Sequence, residues 1–159
     1  MSQRAKNLSD RLKSFSDDVI AFVESLSDED WNKICEWEEW SVGATAYHVG
    51  AGHFAVSELA GMIIRGEPLP PLNMDQINEM SNKQAREHEG CTKSQALEQL
   101  RKNSAAMVAF AEGLTDEELD RKGSMPAFDG EVNTEQFIGF IIFESAAQHF
   151  NSMKEAVSR

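Results

Sequence analysis

An all-α bundle is predicted by three features of the 159-residue chain. Apolar residues recur at spacings of three and four, which gathers them on one side of a helix turning about 100° per residue. Ser, Thr or Asn followed three residues later by an acidic residue or Gln marks several helix starts. Outside residues 121–132, no run alternates apolar and polar positions as a half-buried strand would.

The first helix carries Leu8, Leu12, Phe15, Val19, Phe22, Val23 and Leu26 on one wide apolar face. Ser27 with Asp30 has capping-box spacing, so a turn of helix leads into the loop that holds Trp37 and Trp40. Ser41 is the N-cap of the next helix, which runs from Val42 to Arg65 and is ended by EPLPP at 67–71, where proline removes donors and fixes φ. That helix is apolar on several faces, and is therefore central or buried by a second subunit. A third stretch spans Met74 to His88, with Met74, Ile77, Met80 and Gln84 on one side, and is interrupted at Glu89-Gly90. Thr92 with Gln95 opens a helix whose stripe is Leu97, Leu100, Met107, Ala111 and Leu114. Thr115 with Glu118 starts a short turn, residues 121–132 form a loop or small extended excursion, and Asn133 with Gln136 opens a last helix to about Ala156. Long helices joined by loops argue for one bundle domain over residues 1–159.

Fifteen Lys and Arg stand against 27 Asp and Glu, a formal charge of -12 that repels nucleic acid and anionic membrane surfaces. No uncharged apolar run reaches the ~18 residues of a spanning helix, and the first residues lack a signal-peptide core, so a soluble, cytoplasmic protein is expected. Cys35 and Cys91 have no CxxC or disulfide-like spacing and read as reduced thiols.

The stretch WSVGATAYHVGAGHF, residues 40–54, sets His48 and His53 among small and apolar residues. His48 lines up with Ala44, Ala51, Gly52, Ala55, Leu59 and Met62, while His53 lies about 140° round the helix, so the two are no chelating pair. On the last helix His149 shares a face with Ile138, Ile142, Ser145, Ala146 and Met153 and also points inward. A lone inward His is more often a hydrogen-bonded core residue than a ligand, but facing helices of a bundle can project ligands into a common site. Neutral imidazole suits Zn, Ni, Fe or Cu, and a catalytic metal asks for a third protein ligand. Glu144 has the right chemistry but lies five residues before His149, whereas Ser145 has i, i+4 geometry and weak ligand chemistry. His53 is expected to be structural, and His88, among the charges of REHEG, to be exposed. GAG at 50–52 suits close helix packing rather than phosphate binding, and the chain has no GxSxG, HExxH or P-loop.

LSDEDW, EWSVGATAYHVGAGH, Asp75 and Asn78 in MDQIN, TDEELD and the closing AAQHFNSMKEA together resemble the DinB/YfiT-like superfamily, from about Leu8 to Val157. Within it the likeness is closest to the N-terminal domain of mycothiol-dependent maleylpyruvate isomerases. The resemblance implies a four-helix bundle of up-down-down-up topology, a divalent metal, Zn or Ni, and thiol-dependent isomerase or S-transferase chemistry, or hydrolysis, on a small electrophilic molecule. It matches the family's first metal histidine to His48 and the last to His149, while the remaining ligand position is Ser145 here. That departure leaves a site that is reduced, completed by Glu144 or by water, or lost. A metal-activated water or low-molecular-weight thiol would be the nucleophile, with Asn78 and Tyr47 offering hydrogen bonds in the pocket. The competing expectation is a non-catalytic binding or stress-related bundle that kept the fold and lost the site. A homodimer through the apolar second helix fits either.

Overall fold

The computed structural model describes residues 2–159. Its elements are α1 (Gln3–Glu24), α2 (Asp28–Trp31), α3 (Val42–Arg65), α4 (Met74–Glu87), α5 (Lys93–Glu112), α6 (Asp116–Asp120), β1 (Lys122–Ser124), β2 (Glu131–Asn133), α7 (Thr134–Gly139), a π-helical segment (Phe140–Ala146) and α8 (Ala147–Ser158).

The local chemistry of the starts is as the spacing predicts. Ser27/Asp30, Thr92/Gln95, Thr115/Glu118 and Asn133/Gln136 form reciprocal capping boxes, and Asn73/Gln76 adds one at the start of α4. Ser41 caps α3 by accepting from the Ala44 amide, and Gly66, at φ 71°, closes that helix in the left-handed conformation before the prolines. The excursion at 121–132 is a two-stranded antiparallel hairpin.

Four long segments make the bundle: α1, α3, α5 and the run from α7 to α8. Lys93 Nζ donates to the carbonyls of Glu24 and Leu26, and Ser2 hydrogen-bonds Asp116, so α1 and α5 run antiparallel. Asn103 Nδ2 donates to the Gly50 carbonyl and His53 meets Ser104, while the Cys91 thiol reaches the Gly43 carbonyl, so α3 and α5 run parallel. His48 faces His149, and Lys33, beside the start of α3, reaches the Val157 carbonyl, so α8 opposes α3. Phe150 on α8 meets Phe15 and Phe22 edge-on, which closes the ring onto α1. The order is up, down, down, up. Parallel neighbours cannot be joined by a tight turn, and α4, laid against the outside of α3, carries the chain back to the start of α5.

The apolar interior is continuous, with Leu12, Ile63, Leu100, Met107, Phe137, Ile138, Ile142 and Met153 fully enclosed. α3 is enclosed on most sides by α5, α4, α7, the π segment and α8, which accounts for its all-round apolarity within one chain. Its small residues permit close approach. A Cβ at Gly43 would lie 2.6 Å from the Trp31 indole, and one at Gly50 would lie 2.7 Å from Gln99 Oε1. Among the described residues, no helix is long and apolar enough to cross a membrane.

Candidate metal centre

His48 and His149 come together near the end of the bundle where α3 begins. Their ring centroids are 4.9 Å apart with the planes at 84°. His48 Nδ1 donates to Gln84 Oε1 of α4 (2.9 Å), and His149 Nδ1 donates to Glu38 Oε2 of the loop before α3 (2.9 Å). Among the described residues, neither Nε2 atom has a protein hydrogen-bond partner. Trp40 stacks on the His149 ring at 5.5 Å, touches His48 edge-on at 5.0 Å, and donates from Nε1 to Asn82 Oδ1 of α4. The same indole forms a small apolar cluster with Ala44 and Ala85, so it fixes loop, α3 and α4 around the pair. Trp37, largely exposed, lies 6.3 Å from His149 at the outer edge.

Burial pushes the His48 pKa down to about 4, repulsion from His149 adds to this, and Gln84 and Glu38 oppose it. His48 is therefore a neutral imidazole at physiological pH, with a lone pair free for a ligand.

The other predicted residues fall elsewhere. Glu144 is exposed and Ser145 half-buried, and among the described residues no group of three His, Cys, Asp or Glu side chains is set to hold a metal ion. Both lie within the π segment, which does not turn Glu144 inward. Asn78 is exposed on α4, one turn before Asn82. Tyr47, adjacent to His48 and so about 100° round α3, faces a different groove of about 580 Å³, lined also by Gln95, Gln99, Lys102 and Asn103. His53 is buried as expected, bonded through Nδ1 to Ser104 Oγ (3.2 Å). His88 departs from the expectation of exposure. It is half-buried, stacks on Tyr47 at 3.9 Å and donates to the Gln84 carbonyl, because the chain turns there to enter α5.

Glu38 and Gln84 were not legible as neighbours of the histidines. Each lies far from its partner in sequence, and Glu38 sits in EWEEW, where flanking acids suggest a solvated run. The one signal was the pair of tryptophans bracketing it, since a turn that buries Trp40 also buries one intervening side chain.

A crossed four-helix bundle with two inward imidazoles at one end defines the class of protein. The chain belongs to the DinB superfamily, whose family model matches residues 11–152. Among solved structures, YfiT from Bacillus subtilis shares the fold, with a TM-score of 0.80 and 15% identity over 100% of this chain and 89% of its own. YfiT is described as a probable metal-dependent hydrolase with an unusual four-helix bundle topology. No curated protein matches the chain.

Proposed function

We propose that His48 and His149 hold a divalent metal, zinc or nickel, through their Nε2 atoms, and that the protein uses it on a small electrophilic molecule. The observation that carries this is the convergence of two imidazoles whose Nε2 atoms have no protein partner. The two rings lie with centroids 4.9 Å apart, and neutral imidazole nitrogen is a common ligand of zinc and nickel. The description of YfiT as metal-dependent supports the same reading.

His48 and His149 would hold the metal, whose charge would lower the pKa of a water or low-molecular-weight thiol there and so supply a nucleophile at neutral pH. Water would give hydrolysis, and a thiol would give S-transfer or isomerisation. The chain's own part is to keep His48 neutral by burial, to shield the flat side of His149 with Trp40, and to leave Trp37 exposed at the outer edge. Ser145 contributes only a weak donor, so at least one further position is left to water, thiol or substrate.

Among the described residues no third His, Cys, Asp or Glu joins the pair, which favours a second reading, a non-catalytic bundle that binds a small molecule or a partner without a metal. Metal content by mass spectrometry decides between them, on untagged protein purified without added metal. We expect near-stoichiometric metal in the parent and loss of it in both His48→Ala and His149→Ala. A parent that stays metal-free after incubation with Zn or Ni excludes the enzymatic reading.

The homodimer belongs to the same proposal. Phe54, 58% exposed on α3, is the side chain it would cover. Sedimentation as a strict monomer at micromolar concentration excludes it.

A further inference from the structure

We propose that Glu38 is the positioning residue of this centre: through Oε2 it keeps the His149 proton on Nδ1 and thereby turns the Nε2 lone pair outward as a donor. The metal chemistry of the preceding section gives this tautomer its use, but the tautomer itself can be measured in metal-free protein.

Four observations carry the assignment. The Glu38 side chain is 1% exposed, whereas Glu36 and Glu39 in the same acidic run are exposed, so one carboxylate has been selected for the interior. Removing a carboxylate from water is costly unless it is paired, and the His149 N–H at 2.9 Å is the one partner it has. Its other oxygen, Oε1, is buried with no partner, so the burial is not explained by a fully satisfied hydrogen-bond network. The turn that presents it is held shut: the Cys35 amide donates to the Trp40 carbonyl, the Glu39 amide donates to the Cys35 carbonyl, and Ile34 bridges Ser41. Within that turn Glu39 has φ 63°, the one positive φ at a non-glycine position among the described residues. A backbone outlier next to a buried carboxylate is the pattern of strain retained to aim a side chain.

The geometry also separates Glu38 from the ligands themselves. Its Oε2 approaches His149 from the Nδ1 side, and Nε2 faces away across the ring, so Oε2 would act on a metal at Nε2 through the imidazole. Gln84 stands in the same relation to His48. Carboxylate or amide oxygens on the far nitrogen fix the ring and raise its basicity, and their loss typically weakens metal binding by about 10- to 100-fold.

The test is nitrogen NMR of histidine-labelled, metal-free protein at pH 8, with zinc affinity measured alongside by competition with a chromophoric chelator. The expected result is a His149 proton on Nδ1 in the parent, redistributed toward Nε2 in Glu38→Ala, with a Zn²⁺ affinity about 10- to 100-fold lower. Glu36→Gln, at the exposed neighbour, should change neither quantity. Should Glu38→Ala not fold, the isosteric Glu38→Gln decides, and its weaker acceptor should still lower Zn²⁺ affinity by about tenfold. A parent His149 with its proton on Nε2 overturns the proposal. So does a tautomer unchanged in a folded Glu38→Ala, or a zinc affinity unchanged in Glu38→Gln. The expected tautomer in a parent that takes up no zinc would support the role of Glu38 while removing the metal reading.

Discussion

Phe137→Ala is expected to lower unfolding free energy by about 3–5 kcal/mol, a large share of the roughly 5–15 kcal/mol that holds a domain together. Phe137 is 1% exposed and is the largest of the fully enclosed side chains. It sits one turn into α7, where the last bundle segment starts, and meets the Phe128 ring edge-on at 5.7 Å; Phe128 in turn meets Phe140 at 5.0 Å. The ring thus joins the hairpin loop to the bundle interior, and its removal leaves a cavity bounded by both. Urea unfolding of parent and variant measures the difference. A loss below about 1 kcal/mol would mean that the hairpin collapses into the space, which buried large-to-small substitutions seldom allow.

The second large effect depends on pH. His53 is fully buried among apolar neighbours, edge-on to Phe15, with Nε2 unpartnered, and burial pushes its pKa down to about 4. The unfolded chain takes up this proton near the ordinary imidazole value of about 6.5, the folded chain only near 4, so unfolding is favoured between them. The stability that His53 provides is whole above about pH 6.5 and is lost as pH falls toward 4. Linkage over a shift of this size gives a loss of about 2 kcal/mol between pH 7 and pH 4.5. His48 adds a loss of the same sign, so the contribution of His53 is isolated by comparison with His53→Gln. The parent should lose about 2 kcal/mol more than the variant over that interval. Equal losses would mean that His53 takes up its proton at the same pH in the folded and the unfolded chain.

Much of the architecture was legible because its punctuation is local. Ser41 and the EPLPP run bound α3 at Val42 and Arg65, and reciprocal capping pairs give the starts of α2, α5, α6 and α7. The inward faces of His48 and His149 follow from helical period alone, and so does the divergence of His53. The π segment at Phe140–Ala146, which packs against α3, left no mark, because helical period and capping pairs do not distinguish a widened turn from an α-helical one. Glu38 and Gln84 escaped for a related reason. Nothing in a charged run tells which acid the tertiary fold will draw inside, and although Gln84 falls on the apolar side read for α4, Met74 and Met80 of that side are exposed, so the side alone does not point to His48.

The sparse apolar content of α4 has a consequence of its own. Ala85 is the one fully buried residue of α4, Ile77 packs half-buried against the core, and Trp40–Asn82 and His48–Gln84 hydrogen bonds, with the His88 ring against Tyr47 just past the helix end, tie it to the bundle. A 14-residue helix tethered so lightly has an opening free energy far below that of the bundle, since local unfolding is opposed by little buried surface. Both of those hydrogen bonds end on the histidine pair or the indole stacked on it, so local melting of α4 releases His48 and Trp40 together.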